Sequence, residues 1–250
     1  MRTAAVLLVA LPLALSGCDK SKAPEGAGKP AAKADKADGP GKSAAVGDSK
    51  ADAAGDAVAN NNRPQDGASP AEVGKPAPDF RLTDLAGKEV RLSDFKGKPV
   101  VLEWFNPGCP FVKYAHTEGP LVDMASKESE QGIVWLAINS GAEGMQGFEL
   151  ADNEKMVGEF GIKHPVLRDP DGVVGHLYGA EKTPHMYLID DKGTLLYAGG
   201  IDNAPFGEVD GGGERIGYLD QALAAMRGGK PVDTPTAKAW GCTVKYAKKG

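Results

Sequence analysis

Cysteine is scarce in this chain: three in 250 residues, at positions 18, 109 and 242. Three are too few to frame a disulfide-stapled fold. None belongs to a Cys-x-x-Cys pair, which excludes redox chemistry between adjacent thiols. Positive charge is not in surplus either. A net charge of -5 and the lack of a basic tail leave no footprint for nucleic acid. The N-terminal apolar run, residues 4–15, is shorter than the roughly 20 residues needed to span a bilayer. Large apolar side chains are almost missing from residues 20–72, where Ala, Gly, Lys, Asp and Pro dominate. Such a segment cannot bury enough surface to offset chain entropy and is expected to be disordered. There is no internal repeat.

Among what is present, Cys109 is the most informative residue. The mostly apolar run Val100-Val101-Leu102-Glu103-Trp104-Phe105 reaches a Pro-Gly turn, then Cys109, then Pro110. Proline suits the first position of a helix, because its missing N–H would have no partner there. The layout therefore places a thiol at a helix N-terminus, where backbone N–H groups and the helix dipole favour a thiolate. The plainer alternative is a small residue capping a helix.

The first 17 residues form a processing signal: Arg2, the apolar core 4–15, then small residues. Leu15-Ser16-Gly17-Cys18 resembles a bacterial lipoprotein signal, which implies cleavage before Cys18 and its acylation. The alternative is a plain secretory peptide cut nearby. Several acyl chains on Cys18 would anchor the protein stably and withdraw that sulfur from redox work. Residues 18–72 then read as a tether of roughly 40 Å root-mean-square reach. The expected location is the cell envelope, membrane-anchored and facing the periplasm or another extracytoplasmic side. Asp19 matches an inner-membrane retention signal of some enterobacteria, and the choice of membrane stays open. The remaining length, about 175 residues, suffices for one well-cored domain. We assign residues 73–228 to it and 229–250 to a C-terminal tail containing Cys242.

Within the domain, 80–83 and 89–92 alternate around Ala86-Gly87 as a β-hairpin, and 93–95 starts a helical turn. Residues 98–105 form a central strand apolar on both faces. Residues 110–127 read as one helix bent near Gly119-Pro120. A buried strand at 133–138 and a helix at 145–160 follow, the latter ended by Gly161. Then come a short extended piece at 164–167, a turn at 169–172, a short helix at 173–178, a hairpin of 186–189 and 195–198, and a helix at 214–226. The tail carries few signals before 243–246.

This order, with Cys at a helix start and Thr183-Pro184 before a hairpin, resembles the thioredoxin fold. The expectation is an α/β thioredoxin-like fold, a mixed central sheet flanked by helices, with an N-terminal β-hairpin extension. Gly74-Lys75-Pro76-Ala77-Pro78-Asp79-Phe80, Asp169-Pro170-Asp171-Gly172, Cys109-Pro110-Phe111-Val112 and Gly241-Cys242-Thr243-Val244-Lys245-Tyr246 resemble bacterial peroxiredoxin-like redoxin-domain proteins of the alkyl hydroperoxide reductase and thiol-specific antioxidant type. Against the wider superfamily there are departures. Val112 stands where a thioredoxin has its second cysteine. Asn106 and Leu102 stand where a peroxiredoxin has Thr or Ser and Pro. Pro184 occupies the place of the peroxiredoxin arginine.

The resemblance implies a membrane-tethered thiol oxidoreductase with Cys109 as nucleophile, acting on a disulfide or a peroxide. Partners would be a thiol or disulfide protein, a small thiol or a peroxide, together with the membrane; no nucleic acid and no cofactor are expected. Glu103 stands six residues before Cys109, where thioredoxins hold a buried acid that moves protons. Burial would raise its pKa and make it a general acid or base; the alternative is a carboxylate at a strand end. The resemblance implies a cis Pro184 facing the nucleophile, and Thr183 backbone free to pair with an extended substrate. Cys242 is either the resolving thiol for Cys109 or a buried structural cysteine. Lys113 either adds positive potential or is simply solvated. His116 and His185 are considered as metal ligands, but no metal is assigned, because the second cysteine of copper-delivering relatives is missing. Two other readings stay open: a degenerate binding module for envelope proteins without turnover, and a metal-handling protein.

Overall fold

The computed structural model describes residues 68–248. The signal peptide, Cys18 and nearly all of the tether lie outside the described residues. Among the described residues, no helix is long and apolar enough to cross a membrane.

A seven-stranded mixed sheet organises the domain, its strands lying in the order β2 (Glu89–Arg91), β1 (Arg81–Asp84), β5 (Val166–Arg168), β4 (Val134–Asn139), β3 (Val100–Trp104), β7 (His185–Ile189) and β8 (Leu195–Gly199). Its centre is β3 (Val100–Trp104), parallel to β4 (Val134–Asn139) and antiparallel to β7 (His185–Ile189). All five β3 residues are buried, as its solid apolar character requires of a strand covered on both faces. The two faces follow the period of two. Val100, Leu102 and Trp104 join a cluster with Leu136, Leu167, Tyr178 and Tyr187. Val101 faces Trp135, Met186, Leu188, Leu219 and Leu223 on the other side. Each such side chain, fully buried, stabilises the fold by about 1.5–3 kcal/mol. The hairpin the sequence predicts, β1 (Arg81–Asp84) and β2 (Glu89–Arg91), adds antiparallel to the outer edge of β5 (Val166–Arg168). A 3-10 turn follows at Leu92–Phe95. On the far edge β8 (Leu195–Gly199) pairs with β7.

The helices differ from expectation in instructive ways. The single bent helix of 110–127 is two: α1 (Pro110–Thr117) and α2 (Met124–Glu130). Pro120 has no N–H to continue α1. Gly119 packs so closely that a Cβ would lie 2.9 Å from the Ala115 Cα. Helix α3 (Leu150–Glu159) begins five residues later than expected. The preceding residues form a loop in which Gly144 and Gly147 take φ of +72° and +88°, conformations that suit glycine and end a helix. Helix α4 (Val173–Tyr178) is as expected. Helix α5 (Tyr218–Arg227) also starts late. Arg215 is drawn instead to the buried Asp202 carboxylate at 2.8 Å, and Ile216 N–H donates to Asn203.

The segment after α5 is not a loose tail. It returns across the domain and forms β9 (Cys242–Thr243), paired antiparallel with β6 (Lys182–Thr183). The Trp240 indole N–H donates to the Asp202 carbonyl, and the Tyr246 hydroxyl donates to the Ala180 carbonyl. Tyr246 also stacks on His176, with ring centroids 4.1 Å apart.

Candidate active site

Cys109 is the N-cap of α1, with extended φ/ψ of -86° and 120° and Pro110 in the first helical turn. It is 1% exposed. Its Sγ donates to the Thr183 carbonyl at 3.1 Å. The Thr183-Pro184 bond is cis, as the resemblance implied. The turn that delivers Cys109 is held from both sides. Gly108 N–H donates to Asn106 Oδ1, Asn106 Nδ2 donates to the Gln146 carbonyl, and Gln146 Nε2 donates to the Gly108 carbonyl. The Asn106 side chain is thus engaged in fixing the loop rather than turned to a reacting oxygen.

Cys242 stands on β9 directly opposite Thr183 in the strand register. It packs against the cluster that contains Cys109, Phe105, Val112 and Phe160. Both cysteines are free thiols. Burial, then a hydrogen bond with Cys109, pushes the Cys242 thiol up to about 11, while Lys245 and Lys182 work in the opposite direction. Two sulfurs separated by more than 130 positions in sequence are therefore neighbours.

This placement corrects the expectation for Thr183. Its strand-pairing edge is not open to an extended substrate, because the chain's own Cys242 is paired there. The approach is close: a Cβ on Gly241 would overlap the Thr183 carbonyl, and Gly241 has φ of +118°. A partner strand could reach Thr183-Pro184 only by displacing β9.

Glu103 is fully buried on β3, but the expected upward shift of its pKa is reversed. Burial alone raises it. The His116 imidazole at 2.7 Å, His164 and the Trp135 indole N–H at 3.1 Å together outweigh burial and hold the carboxyl below its usual range. Glu103 is a hydrogen-bonded carboxylate rather than a protonated acid awaiting use. His116 is correspondingly committed to Glu103. His185 lies beside Tyr187, whose hydroxyl is 3.3 Å from Nδ1. Among the described residues, no three His, Cys, Asp or Glu side chains gather as metal ligands. Lys113 is exposed on α1. A cleft of about 250 Å³ lined by Asp79, Lys98 and Asp190 reaches Val100, at the end of β3 remote from the sulfurs.

The buried histidines carry a pH prediction. Burial depresses His164 and His185 from the ordinary 6.5 to about 4. Between those values the unfolded chain binds two protons that the folded protein refuses. Stability is therefore lost as pH falls through this window, by about 1.4 kcal/mol per unit for each histidine. Asp169 works the other way. Burial raises it to about 7, so its contribution is present at low pH and lost as pH rises. The net expectation is a fall in the denaturant midpoint from pH 6.5 to 5. A His164→Gln/His185→Gln double variant should flatten or reverse that slope. An unchanged slope would place the acid sensitivity elsewhere.

Sequence reasoning did not find Gln146, the His116 partner of Glu103, or the anchors Trp240 and Tyr246. Gly241-Cys242 within a redoxin-like tail motif was the one available signal that the tail belongs to the site.

A mixed sheet with a helix-capping cysteine turned to a cis-proline defines a thioredoxin-fold redoxin-domain protein. Comparison with known proteins agrees. The chain belongs to the AhpC/TSA family, whose sequence model matches residues 73–198. It is 34% identical to the thiol-disulfide oxidoreductase ResA of Geobacillus thermodenitrificans over 124 residues, 49% of this chain and 66% of that relative. The match thus spans just under two thirds of the relative's length. The thioredoxin-like protein YneN of Bacillus subtilis is 31% identical over 129 residues, covering 50% of this chain and 69% of YneN. Among solved structures, an uncharacterized conserved protein from Geobacillus kaustophilus superposes with a TM-score of 0.63 at 31% identity, covering 72% of this chain and 94% of that one. A hypothetical protein from Sinorhizobium meliloti 1021 gives 0.62 at 30%, covering 71% and 96%.

Proposed function

We propose that this protein is a thiol oxidoreductase in which Cys109 and Cys242 work as a dithiol–disulfide pair. The observation that carries the reading is the Cys109 thiol bound to the Thr183 carbonyl while Cys242 occupies the strand position opposite Thr183. In one direction the two thiols close to a disulfide as a partner disulfide opens to two thiols; the reverse transfers two electrons inward. Relatives named thiol-disulfide oxidoreductase support this class of chemistry. The partner is a thiol or disulfide protein or a small thiol. The lipoprotein-like signal at Leu15-Ser16-Gly17-Cys18 supports work at the extracytoplasmic side of a membrane, on an acyl anchor at Cys18.

Peroxide is a weaker substrate on this reading. Sulfur attack on an O–O bond needs donors fixed around the developing oxyanion. Pro184 stands in place of the usual Arg donor and Asn106 in place of Thr or Ser, and both ends of the Asn106 amide are already bonded. Stopped-flow oxidation tests the division. Cys109→Ser should abolish net reduction of a partner disulfide, leaving at most a mixed disulfide on Cys242, and wild-type Cys109 should react with hydrogen peroxide at about the rate of a free thiol. Retained net dithiol–disulfide turnover in Cys109→Ser would remove the dithiol reading. Peroxide oxidation many orders of magnitude faster would make the protein a peroxidase.

A further inference from the structure

We propose that Cys242 is the sulfur that exchanges with external thiols, and that Cys109 exchanges only with Cys242. This rests on the dithiol reading above and assigns the two sulfurs opposite tasks.

The first observation is access. Cys109 is 1% exposed and seals its thiol against Thr183, whereas Cys242 is partly exposed on β9. The second is the strap. Any extended partner aiming for Cys109 along Thr183 meets β9 first. That strand is held by its ladder, by Val244 N–H donating to the Glu181 carbonyl, by Ala142 N–H donating to the Lys245 carbonyl, and by Tyr246.

The exchange balances as follows. An external thiolate attacks Cys242 Sγ of the Cys109–Cys242 disulfide. The new S–S bond forms on Cys242, the old one breaks, and its electron pair leaves on Cys109. A second external thiolate attacks the external sulfur of this mixed disulfide. An external disulfide departs, and Cys242 leaves as a thiolate. The two cysteines take up the two protons released by the external thiols.

The test uses the full chain, oxidised with diamide. Non-reducing peptide mass spectrometry first reads whether the Cys109–Cys242 bridge has formed. Reduced glutathione is then added briefly and the reaction is quenched with excess iodoacetamide in denaturant, which opens the buried Cys109 to alkylation. The expected product carries glutathione on Cys242 and the alkyl group on Cys109, in about tenfold or greater excess. The inverse pattern, or equal amounts of both, overturns the assignment while leaving the dithiol reading intact. Failure to form the bridge overturns both, and is read before glutathione enters.

Discussion

Replacing Glu103 with alanine should destabilise the protein by about 3–5 kcal/mol, the largest single-residue effect expected outside the apolar core. Glu103 is 0% exposed, and its two oxygens meet His116 at 2.7 Å and Trp135 at 3.1 Å. Removing the carboxylate leaves a buried imidazole and an indole N–H without their partner. The loss belongs to the broken pair more than to the pair itself. A Glu103→Leu/His116→Leu double variant should therefore be far less destabilised than the sum of the single changes. Urea unfolding of Glu103→Ala, of the two single leucine variants and of the double variant decides it. A loss below about 1 kcal/mol for Glu103→Ala, typical of exposed pairs, would show that water reaches the site. The direction of the Glu103 shift also bears on mechanism. A carboxyl held below its ordinary range stays ionised through neutrality, so pH–rate profiles near pH 7 should not carry its titration.

Glu103 also marks where sequence reading ran out. The run Val100-Val101-Leu102-Glu103-Trp104 shows an acid within an apolar strand, a local pattern that leaves a buried carboxylate and one at a strand end both open. Its partner His116 lies 13 positions away on α1, and Trp135 lies 32 away on β4. Only the fold places them around one carboxylate, and they reverse the pKa that burial alone predicts. Cys109 was legible for the opposite reason. Strand, turn, cysteine and Pro110 are consecutive, so the helix-capping thiol needs no long-range information. The hairpin of β1 and β2 and the cis Thr183-Pro184 followed from local patterns and from family resemblance respectively. The loop before α3 was misread as helix, since Met145, Phe148 and Leu150 mimic helical spacing. Gly144 and Gly147 end that pattern, and the Asn106–Gln146 clasp fixes the loop. The tail was the largest omission. Residues 229–242 show no strong periodicity. They are ordered by contacts with distant parts of the domain: a bridge between Thr236 and Ala198, and Trp240 on Asp202.

Changing Gly241 to alanine should open the site. Gly241 has φ of +118°, outside the range that side-chain-bearing residues adopt readily, and its added Cβ would overlap the Thr183 carbonyl. Backbone strain of this kind amounts to about 1–3 kcal/mol, and the overlap adds to it. The cheapest relief is for β9 to lift from β6, since only two register pairs join them, Lys182 with Thr243 and Thr183 with Cys242. The sheet beneath does not depend on that ladder, so the protein should stay folded while the strap opens. Each 1.4 kcal/mol moved from the closed to the open form raises the open population about tenfold. Placed in a Cys242→Ser background, where Cys109 is the sole thiol among the described residues, Gly241→Ala should speed alkylation of Cys109 by N-ethylmaleimide about tenfold or more. In the otherwise wild-type chain the same change should slow closure of the Cys109–Cys242 disulfide, because Cys242 spends less time beside its partner. Unchanged alkylation would mean that something other than β9 covers Cys109. Faster alkylation together with unchanged closure would mean that the strap shields the thiol without setting the encounter of the two sulfurs.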